Sequence, residues 1–348
     1  MTGWINLTDD QRRRSLLQAE IKSSYAKKAI EKDWWVTLIL KALFQSTYAP
    51  YFTFKGGTSL SKGYQLINRF SEDIDIALAP EAFGQAYVSS PTRSYVKKLK
   101  KQGCIFTSTI LRDDLERTLL AMQVKPKQFA LVTEKVPAER PDKDPQTLYL
   151  QYRSLLPVNA YLRDEVKIEF SIRSLSEPHV KRPIQSLLWE HLPHKAYEET
   201  LALIRTAHPK KTFLEKAFLL HEKFANHLKP AAENLKLERG SRHLYDICKM
   251  DDQGITDLVL ADPSFYKTLL EHRRHWIRLK GIDYDTLHPS LVNFVPPPIT
   301  HRRYAQDYKA METGGMLTQK YHNFEVLISR LQHINNRFRY LQIPGTKL

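Results

Sequence analysis

Phe54-Lys55-Gly56-Gly57-Thr58-Ser59-Leu60-Ser61-Lys62, followed after a short spacer by Ser71-Glu72-Asp73-Ile74-Asp75-Ile76, is the stretch that decides how this chain reads. Side chains alternate between the faces of a β-strand, so Asp73 and Asp75 share one face and Ile74 and Ile76 the other. Two carboxylates on one face repel each other and resist desolvation. A divalent cation bound to a nucleoside triphosphate removes that cost, which makes such a pair an economical metal site and an awkward structural one. Gly56 and Gly57 open a helix predicted over residues 58–68. A glycine turn at a helix N-terminus presents backbone N–H groups to phosphate. The combination points to nucleotidyl transfer, with Asp73 and Asp75 as the metal-holding pair. Gly56, Gly57, Thr58 and Ser59 form the candidate phosphate cradle. Ser71, two residues before the first aspartate, is a further candidate phosphate contact, although it could equally shape the entry to the strand.

Outward from this stretch the pattern is that of a mixed sheet flanked by helices. Thr8-Asp9-Asp10-Gln11 is a capping-box pattern that starts a helix near Asp9. Residues 33–44 are apolar at helical spacing, through Trp34, Trp35, Leu38, Leu40 and Leu43, and residues 52–54 form a short strand before the glycines. Residues 113–120 are predicted helical, and residues 133–146 a loop rich in proline and charge. Residues 147–153 and 166–173 alternate with a period of two. In the second run Val166, Ile168, Phe170 and Ile172 face one way, and Lys167, Glu169, Ser171 and Arg173 the other. Nucleotidyl transfer with two metal ions needs a third carboxylate on a neighbouring strand. Glu169 is the best candidate, with Glu165 and Asp164 as competitors where that strand begins. Beyond Ser186 the periodicity turns helical, most strongly over residues 212–228. Pro296-Pro297-Pro298 breaks the chain, and an amphipathic helix over residues 322–341 closes it. The expectation is an α/β (α+β) catalytic domain over residues 1–185, with a helical domain over residues 186–348 completing a cleft for nucleotide and acceptor.

The chain has 348 residues, 42% of them hydrophobic and 11% aromatic, enough for a sizeable core. No apolar run approaches the roughly 18 residues that a membrane span requires. Met1 to Arg14 is polar and charged and lacks the apolar segment of a signal peptide. Its two cysteines, Cys104 and Cys248, cannot build a disulfide framework or a zinc site by themselves. A soluble protein of the reducing cytoplasm is therefore expected. Fifty-three Lys and Arg against 38 Asp and Glu give a net charge of +15, which favours a polyanionic partner such as RNA. The basic residues cluster at Lys97-Lys98-Leu99-Lys100-Lys101 and at Arg273-Arg274-His275-Trp276-Ile277-Arg278-Leu279-Lys280. Either cluster could equally be a solvated helix face, and an acidic protein partner would use the same field.

Residues 54–62 with Arg69-Phe70-Ser71-Glu72-Asp73-Ile74-Asp75 resemble the AbiEii/AbiGii-type toxins within the polymerase-β-like nucleotidyltransferases. Fifteen residues lie between Gly57 and Asp73, longer than is usual in the superfamily but tolerated in that family. The resemblance continues through three later elements. Glu215-Lys216-Ala217-Phe218-Leu219-Leu220-His221-Glu222-Lys223 is similar to a motif whose lysine points at nucleotide phosphates. Ser241-Arg242-His243-Leu244-Tyr245-Asp246-Ile247 is similar to one whose aspartate is required. Residues 307–316 resemble the usual C-terminal element. Lys223 departs from the pattern, since relatives often carry arginine there, which would forfeit bidentate phosphate contact. The resemblance implies a polymerase-β-like fold with Mg²⁺ (or Mn²⁺) on Asp73, Asp75 and Glu169, and an NTP held by Lys62, Lys216, Arg242 and the glycine turn. Asp246 would have a catalytic role. It further implies a toxin of a type IV toxin–antitoxin or phage-defence system, with a cognate antitoxin, that adds NMP to an acceptor such as the 3′ end of tRNA. Two rival readings are transfer to a protein side chain and a catalytically idle binding module. Outside this context Lys216 would read as a surface lysine on an amphipathic helix, and Arg242 with Asp246 as a helix ion pair.

Overall fold

The computed structural model describes residues 2–136, 139, 142–157, 162–227 and 240–345. Parts of the loop expected over residues 133–146, and Leu228 at the end of the helical run expected over residues 212–228, lie outside these. The described chain forms two compact units. One comprises residues up to Tyr64, Phe70–Val88 and Thr92–Ala207; the other comprises Gln65–Arg69, Ser89–Pro91 and residues from His208 onward.

The first unit is built on a seven-stranded mixed sheet. Helix α1 (Asp9–Lys22) begins at Thr8 with the capping box in place, and α2 (Lys27–Gln45) follows. Strand β1 (Phe52–Lys55) leads into α3 (Gly56–Thr58), which widens into a π-type turn over Ser59–Gly63. The helix expected over residues 58–68 therefore stops at Gly63. A Cβ at Gly63 would stand 3.3 Å from Thr206 Cγ2, and Gln65 turns the chain at φ +54°. Strand β2 (Ile74–Leu78), helices α4 (Arg93–Phe106) and α5 (Arg112–Ala121), and strands β3 (Phe129–Thr133), β4 (Gln146–Tyr152) and β5 (Glu165–Ser171) come next. Strand β6 (His179–Ile184), the short helix α6 (Leu187–His191) and β7 (Ala202–Ala207) complete the unit.

The strand order is β3-β4-β5-β2-β1-β7-β6, with β2–β5 and β1–β7 parallel and the other pairs antiparallel. Because β7 joins β1, the sheet unit runs to Ala207, past the boundary expected at residue 185. One face of the sheet is apolar. Ile74, Ile76, Leu148, Val166, Ile168 and Phe170 are buried there, in one core with Trp34, Trp35 and Leu38 of α2. The opposite face carries Asp75, Lys167 and Glu169, half-buried. Alternation in β2 and β5 thus separates core from candidate chemistry.

In the second unit, α7 (Pro209–His227), α8 (Ser241–Asp252), α9 (Ile255–Leu260), α10 (Pro263–His272), α11 (His301–Thr313) and α12 (Phe324–Phe338) enclose an apolar interior. Phe213 of α7 stacks on Phe338 of α12 at 6.0 Å between ring centroids, and Leu244, Ile247, Leu327 and Leu331 are fully buried. Within this unit Arg69 forms an antiparallel β-bridge with Leu317.

Candidate active site

The glycine turn and the carboxylates are locked to each other. Lys55, the last residue of β1, pairs with Asp75 of β2. The chain then turns at Gly56, whose φ of +80° lies in the left-handed region that glycine alone enters without cost. A Cβ at Gly56 would stand 2.1 Å from Asp75 Oδ2, so the missing side chain is also the space that the carboxylate fills. Thr58 Oγ1 donates to the Asp73 carbonyl at 2.5 Å and shares a hydrogen bond with Ser71 Oγ at 2.8 Å. Ser59 is buried and donates to the Gly56 carbonyl at 2.8 Å. The hydroxyls of Thr58 and Ser59 therefore brace the turn, and Ser71 lies against it.

The β2–β5 register places Asp75 beside Glu169 and Ile74 beside Ile168. Asp73 lies one residue before β2, just ahead of the Ile74–Ile168 pair. Lys167 Nζ lies 2.8 Å from Glu169 Oε1. Burial alone would lower the Lys167 pKa, but the Glu169 and Asp73 carboxylates hold it above the usual lysine value. The competing carboxylates are engaged elsewhere: Asp164 pairs with Lys28, and Glu165 lies 3.7 Å from Arg163. Asp73 at the entry to β2, Asp75 on β2 and Glu169 on β5 offer hard oxygen donors, and the absent side chain of Gly56 leaves room for the Asp75 carboxylate. In donor chemistry the set fits a hard divalent cation. Among the described residues no three such side chains already converge as a metal cage.

Lys62, expected at the phosphates, is instead committed to a buried ion pair. Its ammonium lies 2.6 Å from Asp33 Oδ1 on α2, with both side chains about 5% exposed, while Asp33 Oδ2 accepts the Leu187 N–H at 2.7 Å. Burial raises the Asp33 pKa and the Lys62 charge opposes that rise.

The second unit holds a separate polar cluster. Arg69 grips Asp246 through Nε at 2.7 Å and Nη2 at 2.8 Å, and Lys216 Nζ meets Asp246 Oδ2 at 2.9 Å and His243 Nδ1 at 3.3 Å. Burial would raise the Asp246 pKa, but Arg69 and Lys216 together hold it well below the usual carboxylate range. Burial lowers the Lys216 pKa against the pull of Asp246. His243 is driven well down by burial and by the charges of Lys216 and Arg242, so its ring is neutral. Lys216 is thus no surface lysine, and the partner of Asp246 is Arg69 together with Lys216. At the start of α8, Ser241 donates its N–H and hydroxyl to Asp307 Oδ2 at 2.7 and 2.6 Å, which ties the residues 307–316 element to this motif. Arg69 had no role in the sequence reading. Its signal was its place in the stretch that carries the resemblance, but only tertiary structure pairs it with Asp246, 177 positions away.

The glycine turn, the paired aspartates, Lys216 and Asp246 follow one another in this order along the chain. The model of the family described as nucleotidyl transferase AbiEii toxin, type IV toxin–antitoxin system, matches residues 38–330. The chain belongs to the AbiEii nucleotidyltransferase toxin family. Membership makes it a transferase with a nucleotide substrate and implies an antitoxin partner. A crystal structure described as a "putative nucleotidyltransferase from H. pylori" is similar, with a TM-score of 0.41 and 15% identity over 91% of this chain and 99% of that one. No curated protein matches the chain. No helix among the described residues is long and apolar enough to cross a membrane.

Proposed function

We propose that this AbiEii protein transfers a nucleotidyl group from an NTP to the 3′ end of an RNA acceptor, with tRNA the leading candidate, and so blocks translation in the cytoplasm. The setting would be toxin–antitoxin control or phage defence. The observation that carries the reading is the pairing of Asp75 with Glu169 across β2 and β5, with Gly56 shaped around the Asp75 carboxylate. Asp73, Asp75 and Glu169 would hold Mg²⁺ or Mn²⁺. Such an ion, when bound, neutralises phosphate charge and lowers the pKa of the attacking hydroxyl. The backbone of residues 56–59 would orient the triphosphate, with Ser71 at its edge. Lys216 and Arg242 would supply charge to the phosphates, and Asp246 with Arg69 would fix the Lys216 ammonium in place. In the transfer the acceptor oxygen bonds to the α-phosphorus, the bond to pyrophosphate breaks, and the hydroxyl proton passes to solvent.

The test is incubation of the protein with each α-labelled NTP, Mg²⁺ and total cellular RNA plus cell extract. Labelled small RNA that loses its label on trimming of the 3′ end is the expected result, with no labelling by Asp75→Ala. Label on protein in place of RNA would replace the acceptor by a side chain, and equal labelling by Asp75→Ala would remove the carboxylate assignment.

A further inference from the structure

Lys167 is a side chain of the carboxylate face that the transfer reaction leaves without a task. Alternation along β5 sets it on the same face as Glu169, and its ammonium lies 2.8 Å from Glu169 Oε1. The β2–β5 register sets Glu169 alongside Asp75 and ends at the Ile74–Ile168 pair, next to Lys167, and the charge of Asp73, just before β2, also acts on Lys167. Neighbouring charges on this face are paired among themselves: Lys143 with Glu134, and Glu165 with Arg163. Lys55 of β1 stands opposite Asp75. The side chains of Lys167 and Glu169 are 35% and 23% exposed, so water reaches their contact. A solvent-accessible pair of this kind is weak enough to exchange one partner for another. Asp73 just before β2, Asp75 on β2 and Glu169 on β5 gather three carboxylates, and Lys167 offsets them at the position where it also blocks Glu169.

We propose that Lys167 is an internal counter-cation of the carboxylate site, holding Glu169 until a divalent ion displaces it and so setting the cation concentration at which the site fills. The proposal rests on the metal-holding reading of Asp73, Asp75 and Glu169. Lys167 is on this account a positioning residue, competing with the ion for one ligand. A neutral side chain would release Glu169 and tighten cation binding, whereas arginine would keep the competition. The effect depends on Glu169 itself, which separates it from a general loss of positive charge.

The experiment is a Mn²⁺ titration of the full chain without nucleotide, with free Mn²⁺ read by electron paramagnetic resonance. The proteins are wild type, Lys167→Met, Lys167→Gln, Lys167→Arg, Glu169→Gln, the Lys167→Met/Glu169→Gln double variant and Asp75→Ala. The two neutral variants should bind Mn²⁺ about tenfold more tightly than wild type, a competition of the size expected for a partly exposed charge pair. Arginine should not tighten binding. In the Glu169→Gln background the change at Lys167 should shift affinity no more than about threefold, because only the weaker field at Asp73 remains. Unchanged or weaker binding by both neutral variants overturns the proposal, as does an equal gain in the Glu169→Gln background. Loss of saturable Mn²⁺ binding in Asp75→Ala, with neutral Lys167 variants matching wild type, leaves the metal site standing and removes only the role of Lys167. Binding unaffected by Asp75→Ala removes both.

Discussion

Gly56 is where a single atom decides the most. Alanine there meets two obstacles: a left-handed backbone at φ +80°, and a contact of 2.1 Å with Asp75 Oδ2. Gly84 has a similar φ of +73° with nothing within 4 Å, so it isolates the first obstacle. Gly84→Ala should cost about 1 kcal/mol, and Gly56→Ala should lower Tm further and displace Asp75 from its place. Equal losses in thermal melts would mean that the carboxylate moves aside freely. Asp73→Ala or Asp75→Ala should abolish transfer while leaving the melting temperature within about 2 °C of wild type, since each removes a charge from a crowded face. Turnover surviving in Asp73→Ala would sink its assignment. Asp246 behaves in the opposite way. Asp246→Ala leaves Arg69 and Lys216 buried without their anion, a loss of about 3–5 kcal/mol. A carboxyl with a depressed folded pKa contributes stability above its unfolded pKa and loses it as pH falls through the folded value. The Asp246 contribution should therefore persist from neutrality down to about pH 4, the ordinary aspartate range, and fail only in stronger acid. Melts of wild type and Asp246→Asn across that range check this: a difference vanishing by pH 5 would contradict the tight triad.

Among the elements, α2 shows how much a helix can conceal. Its residues from Lys28 to Leu43 are buried without interruption, charged ones included. Each buried charge ties a distant segment: Lys28 pairs with Asp164, Glu31 accepts the Leu155 N–H, Lys32 pairs with Glu72, Asp33 with Lys62, and Lys41 with Glu199. The sequence revealed only the apolar part of this helix, over residues 33–44, because a lysine or glutamate on an amphipathic pattern reads as solvent-facing until its partner is known. Lys62 is the consequence for function. Removing its charge, as in Lys62→Met, strands Asp33 and should cost about 3–5 kcal/mol, while Lys62→Met/Asp33→Leu should recover much of it. If Lys62→Met instead folds as stably as wild type but binds NTP poorly, the phosphate role returns. The same logic separates legible strands from hidden ones. Strands β2 and β5 alternate between an apolar core face and a polar open face, and their pattern was visible without coordinates. Strand β7 is not legible in the same way, because Leu203 is 65% exposed while Thr206 is buried, which leaves only Ile204 and Arg205 with the usual in-and-out polarity. Strand β6 carries Lys181, Arg182 and Pro183, the composition of a guarded sheet edge more than of a strand. The candidate carboxylates Asp75 and Glu169 lie on strands whose alternation the sequence displays, whereas the Arg69–Asp246–Lys216 cluster needed the tertiary fold.

For the whole molecule, the net charge of +15 says that a polyanion is favoured but not where it lands. Structure divides the two basic clusters of the sequence. Arg273 is spent on Glu222, through Nε at 2.6 Å and Nη2 at 2.5 Å, with Glu222 almost wholly buried, and Arg274 lies 2.8 Å from Asp285. On α4, Lys100 pairs with Asp142, whereas Lys97, Lys98 and Lys101 are exposed. Of the two clusters, Lys97, Lys98 and Lys101 on α4, with Arg278 and Lys280 in the second, are the exposed basic residues that would release counterions on a polyanion, and the α4 three form the denser group. Affinity for tRNA should fall steeply between low and moderate salt, and log K against log[salt] should be linear. Replacing Lys97, Lys98 and Lys101 together by glutamine should lower the slope by roughly 2, near 0.7 for each lost phosphate contact, without changing NTP binding or Tm. Arg273→Gln should do the reverse, destabilising the fold by leaving Glu222 unpaired while the salt slope stays put. Filter binding across a salt series, alongside thermal melts, measures both. A flat salt response for tRNA would move the acceptor from RNA to protein and leave the α4 lysines to serve the antitoxin.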